Sequence, residues 1–576
     1  MSLLNKASLI QIPSGYKDGT LYSAKPTNGD GDFTFSRGSN LAATRVNSEG
    51  LIEKGRENLL LQSNGFNQAG WGISSATLTS GQSGYDGSSN AWLLDSSSEG
   101  YLFQYPTSSN VGTLSIYAKA NSVNNLRLRT FGASINAEGF FDLANGVVGS
   151  STNLIDLSIE SIGGGWYRCS VVYDNAPSLI RIYPSVSSST SSGTIGSIYI
   201  QDAQLEVGLV STDVITTTTT TEQAGILEDM PRLDYSGGAS CPSLLLEPQR
   251  SNLVTQSEYI GAWTESALTI TDNNATSPEG VLNAAKLTLP SGSATKRIAL
   301  GSMPVTAVAR SYSFFVKSND ITAVQLVHSG DLQGYARFDI STGVVGSSGT
   351  KTTSNIEDYG NGWYRCIANF DSSNAFGSTI YLYISDSATG SYGGSTSAEG
   401  DLFVYGAQYE EGSYPTSYIP TYGSSVTKSK DSFQMNLQSQ GIFDGSDTEG
   451  VLMVEYEKPN TLENVDLMRF MGASAVGRAF IYNSGVNFAV DWSGISSGVI
   501  DHDSNNKTLW RLNSLSTGNV FHNGTKLTGN STGTAWSDIR LLRFNMEGAG
   551  GVLRIKQILL FPTALTDAEC IELTTI

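Results

Sequence analysis

Five acidic residues in this 576-residue sequence have the chemistry of calcium ligands. Glu206 and Glu410 occupy equivalent places in two Ala-Gln-x-Glu segments, and Asp491, Asp501 and Asp503 lie close together further along the chain. Carboxylate oxygens are the ligands that Ca²⁺ prefers in proteins. The alternative for the two glutamates is a structural hydrogen bond or salt bridge, and for the three aspartates it is a solvated loop. Structural calcium is the one cofactor that the sequence suggests.

Aromatic side chains form a second group with binding chemistry, because an exposed ring can stack against the face of a sugar. The candidates lie outside the sequence motif that the chain repeats, and they are Trp92, Tyr101, Tyr105, Tyr335 and Trp492. Packing in a hydrophobic core is the alternative for each ring. Trp492 is the strongest candidate, because Asp491-Trp-Ser-Gly is a turn-like stretch beside the acidic residues.

Residues for catalysis do not occur in a working arrangement. The three histidines, His328, His502 and His522, are dispersed, so no Ser-His-Asp set can be assembled from them. Glycosidase chemistry needs two carboxylates across a cleft, whereas the adjacent Glu410 and Glu411 would point to opposite faces of a strand. The four cysteines lack the spacing of zinc ligands. We therefore expect that the chain is not an enzyme.

The composition favours an all-β protein and excludes two classes of partner. The chain contains 62 glycines, and charged residues make up only 15%, which is typical of short strands joined by many turns. The formal net charge of -19 repels phosphate backbones, so we expect no nucleic-acid partner. No apolar run approaches 18 residues, so we expect no membrane insertion.

One stretch occurs twice and organises most of the chain. Residues 142–169 and 339–366 align without a gap, and 15 of their 28 positions are identical, including Gly-Val-Val-Gly-Ser-Ser and Gly-Trp-Tyr-Arg-Cys. The distance between the copies is the size of a domain, so the pattern indicates a domain duplication. The strands around both copies alternate with period two between Gly, Ser and Asn clusters, which predicts antiparallel jelly rolls.

The remaining segments have other patterns. A short capped helix is predicted near the C-terminus, with Thr566 as its N-cap and Glu569 at the third helical position. The N-terminal segment is too small for its own core, so it must lean on a neighbouring domain or another protein. The predicted divisions are an N-terminal anchoring segment (1–57), the first jelly-roll unit (58–215), a connector (216–250), the second jelly-roll unit (251–425) and a C-terminal sandwich (426–576).

These segments resemble known families. Each repeat is similar to a jelly roll of the carbohydrate-binding-module type, through its Asn-Leu opening, its Gly-Trp-Tyr-Arg turn and its Ala-Gln-x-Glu closing strand. The C-terminal part resembles a concanavalin A-like, laminin-G-like domain, through an Asn-Gly hairpin and the ending Leu-Phe-Pro-Thr-Ala-Leu-Thr-Asp-Ala-Glu. The N-terminal segment, through Ile12-Pro-Ser-Gly-Tyr-Lys, and the connector, through Cys241-Pro-Ser-Leu-Leu-Leu, resemble bacteriophage tail-fibre and virion structural proteins.

The resemblance implies a virion structural protein, assembled in the host cytoplasm, whose sandwiches bind glycans on the host surface. Its N-terminal segment would contact other virion proteins. Fibres must hold a thin shape against shear, and closed symmetry is the usual solution, so we expect a homotrimer. Two alternatives stay open. One is a purely architectural head decoration or collar fibre, and the other is a secreted polysaccharide-degrading enzyme, which the missing catalytic set and the start of the sequence disfavour.

Overall fold

The computed structural model of the chain describes residues 3–17, 19–38, 41–108, 111–190, 195–372, 377–437, 441–442, 449–457, 466–472, 477–483, 488–492, 495–496, 505–514, 517–527, 539–545 and 551–576. These residues form antiparallel strands and very little helix. Three short 3-10 turns occur at Leu3–Lys6, Ser236–Gly238 and Ile260–Ala262. In the described part of the chain, no helix is long and apolar enough to cross a membrane.

Short strands form the N-terminal segment, and longer ones form the first jelly-roll unit. The N-terminal strands are β1 (Leu9–Gln11), β2 (Tyr16–Lys17), β3 (Thr20–Leu21), β4 (Phe33–Ser36), β5 (Thr44–Val46), β6 (Ile52–Lys54) and β7 (Arg56–Asn58). The first unit contains β8 (Gly72–Gln82), β9 (Ala91–Gln104), β10 (Gly112–Ala120), β11 (Asn125–Phe131), β12 (Asn136–Asp142), β13 (Val147–Thr152), β14 (Asp156–Gly163), β15 (Trp166–Tyr173), β16 (Leu179–Ser185) and β17 (Gly196–Val207).

The connector contributes three short strands, and the second unit repeats the pattern of the first. The connector strands are β18 (Glu222–Ala224), β19 (Leu233–Asp234) and β20 (Ser243–Leu246). The second unit contains β21 (Arg250–Asn252), β22 (Thr264–Ser266), β23 (Thr269–Thr276), β24 (Leu282–Leu289), β25 (Arg297–Leu300), β26 (Arg310–Ser318), β27 (Ala323–His328), β28 (Tyr335–Asp339), β29 (Val344–Ser348), β30 (Thr352–Asp358), β31 (Trp363–Phe370), β32 (Ile380–Ser385) and β33 (Gly400–Glu411).

The C-terminal part has its own strands and ends in a helix. They are β34 (Val426–Lys428), β35 (Ser432–Asn436), β36 (Gly450–Glu457), β37 (Asp466–Gly472), β38 (Gly477–Asn483), β39 (Phe488–Trp492), β40 (Ile495–Ser496), β41 (Asn505–Ser514), β42 (Thr517–His522), β43 (Thr525–Lys526), β44 (Ile539–Asn545), β45 (Leu553–Phe561) and α1 (Asp567–Thr574). Helix α1 begins with the predicted capping box, because Thr566 Oγ1 accepts from the Glu569 amide and the Glu569 side chain accepts from the Thr566 amide.

Both jelly-roll units have the same strand order. In the first unit the order is β13-β12-β11-β16-β9-β17-β10-β15-β14, with β8 beside β9. The second unit has the orders β29-β28-β27-β32-β25-β22 and β30-β31-β26-β33-β24-β23. Strand β9 corresponds to β24 and β25 together. Its two halves pair with β17 and β16, whereas in the second unit β24 pairs with β33 and β25 pairs with β32. The shared topology confirms the predicted fold class of duplicated sandwiches.

The repeated motif is retained for packing reasons. A side chain at Gly149 would place a Cβ atom 2.1 Å from the Ser188 carbonyl oxygen, and at Gly346 the Cβ atom would lie 1.9 Å from the Ala388 carbonyl oxygen. In each unit a loop therefore crosses the edge strand directly over a glycine. Trp166 is only 3% exposed and packs in a core cluster, so the motif's tryptophan belongs to the core.

A third sandwich with a different strand order combines distant parts of the chain. One sheet has the order β19-β20-β45-β36-β41-β42-β43, with β1 also beside β45, and the other has the order β2-β3-β4-β35-β44-β37-β38-β39-β40. The two sheets share a core that includes Phe33, Leu244, Phe433, Trp510 and Ile558. The N-terminal segment and the connector thus contribute strands to the sheets of the C-terminal sandwich, and they complete its core.

Buried ion pairs join the N-terminal segment, the connector and the start of the C-terminal sandwich, and we call the place where these three parts meet the junction. Arg232 in the connector donates to Glu247 Oε2 at 2.8 Å and forms a short contact with Asp431. Arg37 Nη1 lies 3.5 Å from Asp431 Oδ1, and Lys428 Nζ lies 3.8 Å from Glu247 Oε2. All five side chains are at most 1% exposed. Segments far apart in sequence are therefore joined where an unpaired charge would be costly.

Candidate functional site

The sheet formed by the end of β9 with β16, β11 and β12 has one face in the core and one face outside it. Leu126 and Leu128 of β11 belong to the core of the first unit, so the alternate residues Arg127, Arg129 and Phe131 lie on the other face. We call this surface the outer face of the first unit. It is defined by Tyr101, Phe103, Tyr105, Arg127, Arg129, Phe131, Glu138, Phe140, Arg181 and Tyr183.

The outer face brings two predicted aromatic residues together. The ring centroids of Tyr101 and Phe103 are 5.8 Å apart, and those of Phe103 and Tyr105 are 5.6 Å apart. The side chain of Tyr105 is 70% exposed. Phe103 lies across Gly72 of the edge strand β8, where a Cβ atom would come 2.2 Å from the ring. The result is a row of rings at the rim of the sheet.

Arginine side chains are interleaved with these rings. The guanidinium carbon of Arg181 lies 4.2 Å from the Tyr101 ring centroid and 4.5 Å from that of Phe131. The Arg129 guanidinium carbon lies 4.4 Å from the same Phe131 ring. Cation–π contacts of this kind hold both the ring and the cation in place while leaving donors free for a ligand. The outer face therefore combines aromatic ring surface with hydrogen-bond donors.

The other three predicted aromatic residues lie elsewhere. Trp92 packs on the core of the first unit, and its indole N–H donates to the Asn64 carbonyl oxygen at 2.9 Å. Tyr335 lies on β28 of the second unit, and its hydroxyl donates to the Gly390 carbonyl oxygen at 3.2 Å. The backbone of Trp492 pairs with Ala479 and Ile495, so it lies at the end of a strand. The side chain of Trp492 is outside the described part of the structure.

The corresponding face of the second unit has different chemistry. Arg297 of β25 stacks on Tyr381 at 4.6 Å and contacts the Tyr383 hydroxyl. The Arg337 guanidinium donates to the carbonyl oxygens of Ser387, Ser391 and Gly393, so a loop takes up its hydrogen bonds. The duplication has thus kept the core and changed the outer face.

The predicted calcium ligands Glu206 and Glu410 are buried on their closing strands. Glu206 accepts from the Thr212 amide at 2.9 Å and from the Thr212 hydroxyl. Glu410 accepts from the Thr416 amide at 2.9 Å and from Gln408 Nε2 at 2.7 Å. Burial raises the pKa of Glu410. These bonds match the structural alternative that the sequence left open, since each carboxylate closes the loop after its strand.

The aspartate group lies largely outside the described residues. Asp491 pairs through its backbone with Phe480 and Ser496, and its side chain is not described, while Asp501 and Asp503 lie outside the described ranges. Within those ranges, no three His, Cys, Asp or Glu side chains are grouped as metal ligands. Calcium binding by Asp491, Asp501 and Asp503 stays a prediction.

A cavity of about 690 Å³ lies at the junction of the second unit with the C-terminal sandwich. Six carboxylates and three guanidinium groups line it, and none of the residues predicted from sequence is among them. Some of its charges already have partners, for example Arg554 Nε, which lies 3.1 Å from Asp234 Oδ2. Its acidic walls differ in character from the aromatic and cationic outer face of the first unit.

The sequence predictions missed Phe103, Arg129, Phe131 and Arg181. A signal was present, because Asn125-Leu-Arg-Leu-Arg-Thr-Phe131 alternates with period two and places Arg127, Arg129 and Phe131 on one face. What the sequence could not supply is the neighbouring strand. Arg181 reaches this group only because β16 pairs with β11.

No protein-family model matches the chain, and no curated protein matches it. Among solved structures it is similar to domain 4 of AbnA, a GH43 extracellular arabinanase from Geobacillus stearothermophilus in complex with arabinotriose, at 13% identity over 25% of this chain and 73% of that one, with a TM-score of 0.19.

Two further solved structures are also similar. One is the CBM22-1–CBM22-2 tandem of Xyn10C from Paenibacillus barcinonensis, at 10% identity over 65% of this chain and 100% of that one, with a TM-score of 0.21. The other is the LG1-3 region of the laminin alpha2 chain, at 12% identity over 81% of this chain and 96% of that one, with a TM-score of 0.16.

Proposed function

We propose that this chain is a sugar-binding protein of a bacteriophage virion, either a tail fibre or another appendage that attaches to glycans on the host surface. The observation that carries the sugar-binding part is the row of rings on the outer face of the first unit, ending in the exposed Tyr105. Exposed aromatic patches of this kind are typical of binding surfaces. The virion part rests on the N-terminal and connector segments that resemble phage proteins.

The test is binding of the full chain to a glycan array, with Tyr105→Ala as the variant. Because Tyr105 is exposed, the variant should keep the melting temperature of the native chain and bind the same glycans at least tenfold more weakly. Leu332→Ala in the second unit is the control of matched exposure, because Leu332 is 69% exposed, and it should bind normally. A native chain that binds no glycan would contradict the proposal and favour the architectural alternative.

Enzymatic activity is tested on whichever polysaccharide the chain binds. We propose binding without cleavage, so reducing ends should not accumulate when the polysaccharide is incubated with the protein. Release of reducing sugar at a steady rate would favour the polysaccharide-degrading alternative.

Attachment of a virion also requires many weak contacts acting together. We propose that the chain is a homotrimer, because several copies of one face bind a polymer far more tightly than one copy does. Mass measurement at micromolar concentration should give three times the chain mass. A stable monomer at that concentration would rule out the trimer.

Contacts with other virion proteins are proposed for the N-terminal segment. Its exposed apolar side chains Leu4, Ile12 and Tyr22 support this, since each is more than 40% exposed. Deleting the segment is not a clean test, because β1 and β4 belong to the sheets of the C-terminal sandwich. Substituting the three side chains by serine should keep the fold and reduce incorporation into particles, and normal incorporation would contradict the proposal.

A further inference from the structure

Two arginines occupy directly opposed positions on the outer face of the first unit. Arg129 of β11 is the register partner of Arg181 of β16, and Phe103 and Glu138 continue the same row on either side. Like charges directly opposite each other destabilise a pair of strands. In a chain with a net charge of -19, basic residues are outnumbered by acidic ones, so two arginines directly opposite each other are unexpected.

The nearby acid does not neutralise this pair. Glu138 Oε2 accepts from Arg127 Nε at 3.0 Å and lies 3.5 Å from Arg129 Nε. The Glu138 carboxylate is therefore shared between the guanidinium groups of Arg127 and Arg129. The row that contains Arg181 has no other acid. In the two central rows of the outer face, three arginines face one glutamate.

The donors of the arginine pair are largely unused. Arg181 donates to the Tyr183 hydroxyl at 3.2 Å, and its buried Nε has no hydrogen-bond partner among the described residues, while the buried Nε of Arg129 has only the ion-pair contact with Glu138 Oε2 at 3.5 Å. Both guanidinium groups are already held against the Phe131 ring, so little conformational freedom is lost when a ligand binds. A planar carboxylate accepts from such forks in a bidentate manner.

We propose that the ligand of the outer face is a saccharide that carries a carboxylate, and that the carboxylate binds between Arg129 and Arg181. The sugar ring then stacks on the exposed Tyr105 ring, next to Phe103. This inference rests on the proposed sugar-binding function and adds the chemical class of the ligand. It also accounts for the opposed arginines, because a bound anion removes their mutual repulsion.

The second unit is an internal comparison. The row that corresponds to Phe103, Arg181 and Arg129 contains Ala299, Tyr381 and Val327, so the arginine pair is absent from that row. The described face of the second unit therefore offers no equivalent carboxylate site. We assign the acidic-sugar specificity to the first unit alone.

The test is a glycan array in which each carboxylate-bearing glycan, from uronic-acid and sialic-acid families, is printed beside its methyl ester, with sulfated and neutral glycans as further sets. The full chain should bind carboxylate glycans at least tenfold more tightly than their esters. Arg129→Gln and Arg181→Gln should each abolish this preference without lowering the melting temperature. Arg297→Gln in the second unit is the control and should leave the preference unchanged.

Each other outcome is decisive. Equal binding to acids and esters, or binding confined to neutral or sulfated glycans, would overturn the carboxylate assignment and leave the sugar-binding proposal standing. Binding to no glycan would overturn the sugar-binding proposal itself. A preference for acids that persists in both Arg129→Gln and Arg181→Gln would place the carboxylate elsewhere on the molecule.

Discussion

Lys54 Nζ lies 2.7 Å from Glu258 Oε1, and both side chains are at most 2% exposed. This pair joins the end of the N-terminal segment to the second jelly-roll unit. Lys54 also lies 2.7 Å from Glu279 Oε2, and Tyr422 donates to Glu258 Oε2 at 2.8 Å. A buried cation with two acids and a hydroxyl around it fixes how these parts meet, because each group depends on the others for its partners.

Replacing this lysine should therefore be costly. Lys54→Ala leaves the buried Glu258 carboxylate without its ion-pair partner, whereas Glu279 keeps Arg56, so we expect the free energy of unfolding to fall by about 3–5 kcal/mol. Chemical denaturation of the full chain measures the change. Lys6→Ala is the control, because the Lys6–Glu569 ion pair is exposed, and its loss should cost less than about 1 kcal/mol. Equal effects of the two substitutions would contradict the role of Lys54.

Because of the Arg232–Glu247 pair, the free energy of unfolding should depend on pH in a defined range. Burial disfavours the charged form of Glu247, but Arg232 and Lys428 outweigh it and lower the pKa of Glu247 to about 2. A depressed carboxyl pKa stabilises the fold above the ordinary value of about 4.5, and the stabilisation is lost as the pH falls towards 2. The difference corresponds to about 3 kcal/mol.

We therefore expect the unfolding free energy of the native chain to decline steadily between about pH 4.5 and pH 2. In Glu247→Gln this part of the decline should be absent, and stability at pH 7 should be lower than in the native chain. Glu222→Gln, at an exposed residue, is the control and should keep the native profile. The stability of the native chain, Glu247→Gln and Glu222→Gln is measured by thermal melting at a series of pH values.

The sequence predicted what local patterns determine. The duplication was visible because Gly146, Gly149 and Trp166 each have a packing role that any copy of the domain must keep. Helix α1 was visible because Thr566 and Glu569 form a cap within one turn. In both cases the residues that determine the structure are near each other in the sequence.

The sequence did not predict what distant pairing determines. Strand β1 pairs with β45 at the far end of the chain, and nothing within Leu9–Gln11 specifies that partner. The outer face of the first unit has the same origin, because Phe103, Arg129 and Arg181 come from three strands that only the sheet order brings together. Strand alternation indicates which residues share a face, whereas the neighbours on that face depend on the topology.

The two equivalent glycines of the repeated motif make a paired prediction. Gly149→Ala and Gly346→Ala each force a Cβ atom into a backbone carbonyl of the crossing loop, which cannot move without breaking its own bonds to the edge strand. We expect each substitution to cost about 1–3 kcal/mol. Gly301→Ala is the control, because nothing lies within 4 Å of its Cβ position. A neutral effect at either motif glycine would contradict the packing role.

Gly72 should behave differently from the motif glycines, because the obstacle is the end of a side chain. A Cβ atom on residue 72 would meet the Phe103 ring at 2.2 Å, and the ring can rotate away from it. Gly72→Ala should therefore change the unfolding free energy by less than about 1 kcal/mol. It should still weaken sugar binding several-fold, because the Phe103 ring must leave its position over Gly72 beside Tyr105.

Measuring stability and sugar binding on the same variants separates the position of the Phe103 ring from the folding of the domain. Binding is measured by titration calorimetry with the glycan that the array identifies, and stability by thermal melting of the same samples. Gly301→Ala should leave both unchanged, and Phe103→Ala should weaken binding at least as much as Gly72→Ala. If Gly72→Ala binds normally while Phe103→Ala does not, the ring matters but its position over Gly72 does not. If both bind normally, the row of rings on the outer face is not the sugar-binding surface.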